Sequence, residues 1–220
     1  MTPVLLFLAP FLAAFLAGLL AWGGRRASRA AALLGAAAAL GLALAAGFQS
    51  LGGDLAYEMG GWAAPWGIEI RLTPFACFWT AALDALCLAA LALAPREGAA
   101  RPDPFDAVLL LLTGSAAALV LDRDLFDAYL WVELALLGAG LLAAREGSPW
   151  TAFRIAFWGS VGASFLLLGV LFLYSGTGTL DLGDLLSQLL ILQDAAPKNF
   201  RALIGFGGFW LTLGLALPLM

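Results

Sequence analysis

Apolar runs about a bilayer in length follow one another down this chain, with short polar links between them. Roughly 20 apolar residues are needed for a helix to cross the hydrocarbon core. By that measure seven spans are predicted, near 3–22, 28–48, 73–94, 105–121, 124–144, 152–175 and 200–219. The fourth and fifth are separated only by "LDRD" and form a tight helical hairpin. Pro74 falls near the start of the third, where a missing N–H is harmless. Two links are longer than a turn requires. Residues 49–72 include "GGWAAPWGIEI", whose Trp62 and Trp66 suit the interfacial aromatic belt. Residues 176–199 include "LDLGDLLSQLLILQ", in which Leu182, Leu185, Leu186, Leu189 and Leu190 recur at helical spacing. That segment reads either as an amphipathic helix lying on the membrane surface, near 180–194, or as a packed connector.

Composition agrees with the pattern. Of 220 residues, 63% are hydrophobic and 12% charged, which is the balance of a polytopic membrane protein. The first run lacks the basic n-region of a signal peptide and is too long for an h-region, so it is expected to remain as a span. Histidine is absent, which removes bis-histidine haem, most zinc sites and histidine proton shuttles. Cys77 and Cys87 fit no metal spacing and read as buried small hydrophobes. The net charge of -4 offers no basic footprint for nucleic acid. No nucleophile–base pair, Rossmann glycine pattern or phosphate loop is present, so neither a catalytic site nor a cofactor is expected on this chain. "GFGGF" at 205–209 is too apolar for a nucleotide loop. Gly159, Gly162, Gly205, Gly207 and Gly208 read instead as close-packing positions.

Charge sets the orientation. Arg25, Arg26, Arg29, Arg96, Arg101, Arg145 and Arg154 occupy alternate links or the first turn beyond one, seven of the eleven basic residues. The opposite side carries Asp54, Glu58, Glu69, Asp122, Asp124, Asp127, Asp181, Asp184 and Asp194. The positive-inside rule then puts the N-terminus outside and the C-terminus inside, in a bacterial cytoplasmic membrane.

Within the spans the charges are few: Asp84, Glu133, and Arg154 at the inner edge of the sixth. Glu133 lies about 13 Å into its helix at roughly 1.5 Å per residue, near the bilayer midplane, and Asp84 is about as deep. An ionised acid there costs on the order of 2.5–3.5 kcal/mol on insertion scales. It persists by facing the bundle interior, pairing with a cation or taking up a proton, and a carboxyl poised between these states is what a proton relay needs. The plainer alternative is a neutral acid acting as hydrogen-bond glue between helices. For Asp84 the hydroxyls of Thr113, Ser115, Ser160 and Ser164 are the available partners.

Two motifs now resemble a known family. "DLFDAYLWVE" is similar to the fifth-helix signature D-L-F-x-x-(F/Y)-x-x-x-E of the antiporter-like subunits shared by respiratory complex I and Mrp cation/proton antiporters, with Asp124, Leu125, Phe126, Tyr129 and Glu133 in register. "FRIAFWGSVGASFLLLGVLFLYSGTGTLDLGDLL" resembles the family's sixth helix and following loop, keeping Gly162, Gly169, Tyr174 and Thr177–Leu180, with Arg154 where a lysine is usual. "GGWAAPWGIEIRL" resembles the strand-like outer segment before the third helix. The resemblance implies the N-terminal part of an inverted-repeat fold of about fourteen helices: residues 1–94 as three N-terminal helices, 95–220 as an incomplete first repeat. It also implies that Glu133 is the carboxyl whose interaction with a lysine on the seventh helix modulates proton affinity. Here that helix has no lysine. Leu213 stands in its place and Met220 in that of the family's histidine.

Three functions remain open on these residues. The chain is a component of a multi-subunit membrane complex moving H⁺ or Na⁺, with Glu133 and Asp84 on the path and Arg154 at its edge. Or it is a degenerate scaffold that docks other integral membrane subunits without conducting. Or it energises inorganic-carbon uptake. In each the partners are membrane subunits and the lipid bilayer.

Overall fold

A computed structural model describes residues 2–94, 104–145 and 147–219. Arg96, Arg101 and Met220 lie outside the described residues. Eight helices account for most of the chain: α1 (Thr2–Ala21), α2 (Arg25–Ser50), α3 (Pro74–Leu93), α4 (Phe105–Leu121), α5 (Leu125–Arg145), α6 (Pro149–Thr177), α7 (Leu182–Ala195) and α8 (Pro197–Ala216). All seven predicted spans are helical, and their ends fall within about three residues of those expected. α1, α2, α3, α5 and α6 are long and apolar enough to cross a membrane by length and composition. α4 has 17 residues. α8 is not among the five either, because Lys198, Asn199, Arg201 and its glycines dilute its apolar run. α6, with 29 residues, is about 43 Å long and exceeds the hydrocarbon thickness.

Local signals explain where helices begin and end. The Ala76 N–H donates to Thr73 Oγ1 at 3.1 Å, and Pro74 occupies the first turn of α3. Asp181 accepts from the Asp184 N–H at 2.8 Å and caps α7. α6 ends at Gly178, whose φ of 73° is the left-handed conformation that a glycine adopts without strain.

The strand-like outer segment is a hairpin. β1 (Leu55–Glu58) and β2 (Glu69–Leu72) pair antiparallel, Leu55 opposite Leu72 and Glu58 opposite Glu69. It seals one end of the first helices: Ile70 and Leu72 pack into a cluster with Leu6, Ala43, Ala46, Cys77 and Leu121. A second cluster, built on Ala13, Ala17, Ala32, Ala36, Cys87, Leu91 and Leu110, fills the other end. Alanine dominates the second, with Ala13 and Ala17 of α1 against Ala32 and Ala36 of α2, so α1 and α2 approach closely. A β-carbon on Gly35 would run into Ala13.

α1 to α4 form a compact group, and α5, α6 and α8 continue from α4 as a single row, each packed on the one before. The α6–α8 seam is made of glycines at seven-residue spacing, Gly162, Gly169 and Gly176 against Gly207 and Gly214, a period that keeps one face toward its partner. A β-carbon on Gly162 would lie 2.7 Å from the Gly214 carbonyl oxygen, and one on Gly169 2.7 Å from Leu211. Gly159 abuts Leu136 in the same way. Gly205 and Gly208 meet nothing within 4 Å, so the close-packing expected of them is absent. Cys77 and Cys87 are buried and unbridged. α7 buries Leu185 and leaves Leu186, Leu190 and Ile191 exposed.

Candidate functional site

The two motifs singled out by sequence dock on each other through main-chain groups more than fifty residues apart. Main-chain hydrogen bonds run from the Leu125 N–H to the Leu180 carbonyl at 2.9 Å and from the Leu182 N–H to the Arg123 carbonyl at 2.8 Å. Asp124 thereby bridges to Asp181, and Asp122 bridges on its other side to Ile70 of β2. The signature aspartate, Asp124, is a helix cap: its Oδ1 accepts from the Phe126 N–H at 2.8 Å and the Asp127 N–H at 3.0 Å. One turn on, the Phe126 and Tyr129 rings are 5.8 Å apart, and Tyr129 lies one turn before Glu133 on the same face. The spacing of the signature is therefore cap, ring, ring, acid, read up one face of α5.

Glu133 is half-buried, eight residues and about 12 Å from the start of α5. Asp84 is 3% exposed, about 15 Å into α3, and its Oδ2 has no hydrogen-bond partner among the described residues. The Thr80 hydroxyl, one turn away, is buried and unpartnered as well. The partners expected for Asp84 are engaged elsewhere: Thr113 and Ser115 donate to the carbonyls of Leu109 and Leu111, and Ser164 to that of Ser160. α4 packs between α3 and α5, so the two acids occupy opposite sides of one helix.

Arg154 is exposed on α6. Its depth follows from the antiparallel packing. Gly159 meets Leu136, and Gly140 meets Ala152 and Ile155, so Arg154 is level with Gly140, about seven residues or 10 Å from the level of Glu133. Leu213 is different. Gly214 packs on Gly162 and Leu166, which brings Leu213 near the depth of Glu133, with α6 between them.

Sequence reasoning missed a polar knot above Glu133. Asp122, 8% exposed, accepts from Trp131 Nε1–H at 2.7 Å and from the Asp124 N–H at 3.0 Å. Trp131 is held against Phe7 and Phe11 of α1 at 5.3 and 5.5 Å between rings. Asp127, one turn into α5, brings a third carboxyl close to those of Asp122 and Asp124. The available signal was the i, i+9 spacing of an acid at a helix end and a tryptophan, too common to single out.

Burial pushes the Asp122 carboxyl above the ordinary aspartate value, and the charge of Asp124 adds to it, while the donors from Asp124 and Trp131 pull back. The sign of the pH effect follows. Neutral Asp122 favours the folded state fully below the ordinary value near about 4, and that advantage is lost as pH rises through the higher folded value. Trp131→Phe removes a donor that holds the charged form. Its thermal stability is expected to trail the parent's by a margin that widens from pH 4 to pH 8, reaching roughly 1.5–3 kcal/mol. Unfolding followed by circular dichroism in detergent checks this, and a margin independent of pH would contradict it.

Among the described residues no cluster of histidine, cysteine and carboxylates could hold a metal ion. No family model matches the chain. It is 33% identical over 214 residues, 92% of its length, to NADH-quinone oxidoreductase subunit N of Desulforudis audaxviator. It is 29% identical over 171 residues, 74% of its length, to a probable K(+)/H(+) antiporter subunit of Rhizobium meliloti. These matches take in 42% and 30% of the relatives, so the chain spans less than half the length of either. Its fold superposes on a chain of the membrane-bound sulfane sulfur reductase, an archaeal respiratory membrane complex, with a TM-score of 0.83 and 22% identity, over 97% of this chain and 44% of that one. A multi-pass membrane protein with the fifth-helix signature docked on the loop after the sixth helix, it belongs to the antiporter-like membrane subunits of the complex I and Mrp family.

Proposed function

We propose that this chain is a component of a multi-subunit complex of the bacterial cytoplasmic membrane and takes part in moving H⁺ or Na⁺ across it. The observation that carries the reading is Glu133: a half-buried carboxyl about 12 Å inside a span, with a tyrosine one turn away, on a helix whose start is fixed through the docked motifs. An acid at that depth is costly to insert, and its use is to gain and lose a proton or attract a cation. Asp84 is the auxiliary acid, in a buried pocket with the Thr80 hydroxyl. Arg154 lies nearer the inner surface and serves as a gate to the path rather than as a link in it, because a guanidinium does not release its proton. The N-terminus faces out and the C-terminus in, and residues 1–94 and 95–220 act as three leading helices and part of one repeat.

A second reading is favoured by Leu213. An apolar side chain near Glu133's depth, on the helix beyond α6, leaves the acid without the expected cation from this chain. The protein would then be a scaffold that docks its membrane partners.

Deleting the chain tests the first reading at its coarsest level. Vesicles from cells lacking it should lose most of their gradient-linked H⁺ or Na⁺ uptake, followed with a pH-sensitive dye or ²²Na⁺, and re-expression should restore it. Undiminished uptake would rule out participation.

A further inference from the structure

At the arginine-rich ends of the helices, away from both acids, the structure holds a cavity of about 660 Å³. The end of α1, the first turns of α2, the end of α3, the start of α4 and the end of α5 surround it, and that volume is within the roughly 300–1,000 Å³ of small-molecule sites. Among the described residues, Arg25, Arg26, Arg29 and Arg145 line it together with one carboxylate, Asp106. Arg29 spends Nη1 on Asp106 Oδ1 at 2.6 Å, while its Nη2 is buried with no hydrogen-bond partner among the described residues. The Ser28 hydroxyl is committed to the Ala17 carbonyl at 2.7 Å and competes for nothing that enters. Arg145 is steadied by its guanidinium lying 4.6 Å from the Phe105 ring centroid.

Three further features define the occupant. α2 follows the cap residue Gly24, which supplies no side-chain cap, so the first amides of the helix are left for another acceptor and its positive end adjoins the cavity-lining Arg25 and Arg26. Guanidinium groups bind phosphate oxygens in pairs, and an unpaired buried Nη2 is left wanting such an acceptor. Beside the cavity α1 presents exposed Leu16, Leu19, Leu20 and, at 87% exposure, Trp22, an apolar wall ending in an interfacial ring. Cations at the headgroup level over an apolar wall match a lipid and not a free anion.

We propose that this cavity binds the phosphate of an anionic phospholipid in the leaflet at the arginine-rich ends of the helices. Arg29 Nη2 and the α2 amides take the phosphate oxygens, Arg25, Arg26 and Arg145 complete the charge, and the acyl chains run along α1. The proposal does not depend on ion transport.

The test uses the full chain in nanodiscs of phosphatidylcholine with a minor fraction of phosphatidylglycerol, released into native mass spectrometry. Phosphatidylglycerol should be retained over phosphatidylcholine by at least about fivefold, on the scale of one arginine's attraction to an anionic surface. The half-buried Arg25→Gln with the exposed Arg26→Gln should abolish the preference without touching the Arg29–Asp106 ion pair. Arg29→Gln with Asp106→Asn should do the same, and Lys198→Gln with Arg201→Gln, at the opposite ends of the helices, should not. Equal retention of the two lipids, or a preference surviving both arginine variants, overturns the proposal. Release of the bound lipid by millimolar inorganic phosphate assigns the site to a soluble anion and overturns it too.

Discussion

Glu133→Gln is expected to cut gradient-linked ion movement by the assembled complex at least tenfold, while the amount of folded chain stays at the parental level. Glutamine keeps the size of the side chain and a carbonyl oxygen that can accept a hydrogen bond, so packing is preserved and only the ionisable group is lost. Tenfold corresponds to about 1.4 kcal/mol, roughly half of what a carboxyl deep in a span costs to insert on insertion scales. Asp84→Asn should have a smaller effect, because Asp84 lies on the other side of α4. The assay is ²²Na⁺ or proton uptake into vesicles normalised to chain abundance. Full activity in Glu133→Gln would leave the scaffold reading standing.

Gly214→Leu should leave almost no folded chain. A β-carbon at that position would come within 2.5 Å of the Leu166 amide nitrogen and 2.8 Å of the Gly162 carbonyl oxygen. Both are backbone atoms inside a continuous helix, and neither can rotate aside as a side-chain tip would. Accommodating the substituent means moving α8 off α6, its most extensive neighbour. The interface is then lost and not merely strained, at a cost upward of about 3 kcal/mol, the upper end of overpacking penalties. Gly205→Leu is the matched control: the position is exposed and nothing lies within 4 Å, so its effect should stay within about 0.5 kcal/mol. Fluorescence-detected size exclusion on tagged variants separates the two outcomes. A monodisperse, parent-like peak for Gly214→Leu would refute the close-packed seam.

What the sequence revealed and what it concealed divide along the range of the interactions. Span existence depends on local apolar runs, and all seven predicted spans are helices, with Pro74 and Gly178 marking ends as their backbone preferences require. The 29 residues of α6 exceed its predicted span at both ends, starting at Pro149 in the first turn and running on to the left-handed Gly178. Individual glycines illustrate the same division. Gly162 and Gly205 look alike in sequence, yet one is pressed against α8 and the other faces open space. For the site, the depth of Glu133 could be counted from the chain, and its relation to Tyr129 follows from helical spacing. The isolation of Asp84, the knot of Asp122, Trp131 and Asp127, and the convergence of four arginines on one cavity all require knowing which helices are neighbours. The arginines served only to assign sides, because hydropathy carries no information on what they surround.

The clasp between the start of α5 and the loop after α6 is made of amide-to-carbonyl bonds, with Leu125 on Leu180 and Leu182 on Arg123. Peptide groups do not titrate, and salt weakens bonds between them far less than it weakens ion pairs. The ring of aspartates around the clasp can therefore change charge while the register of the helix stays put. Glu133 hangs from this mooring at a constant height, so whatever alters its proton occupancy must reach it sideways, from a neighbouring helix, rather than by sliding its own.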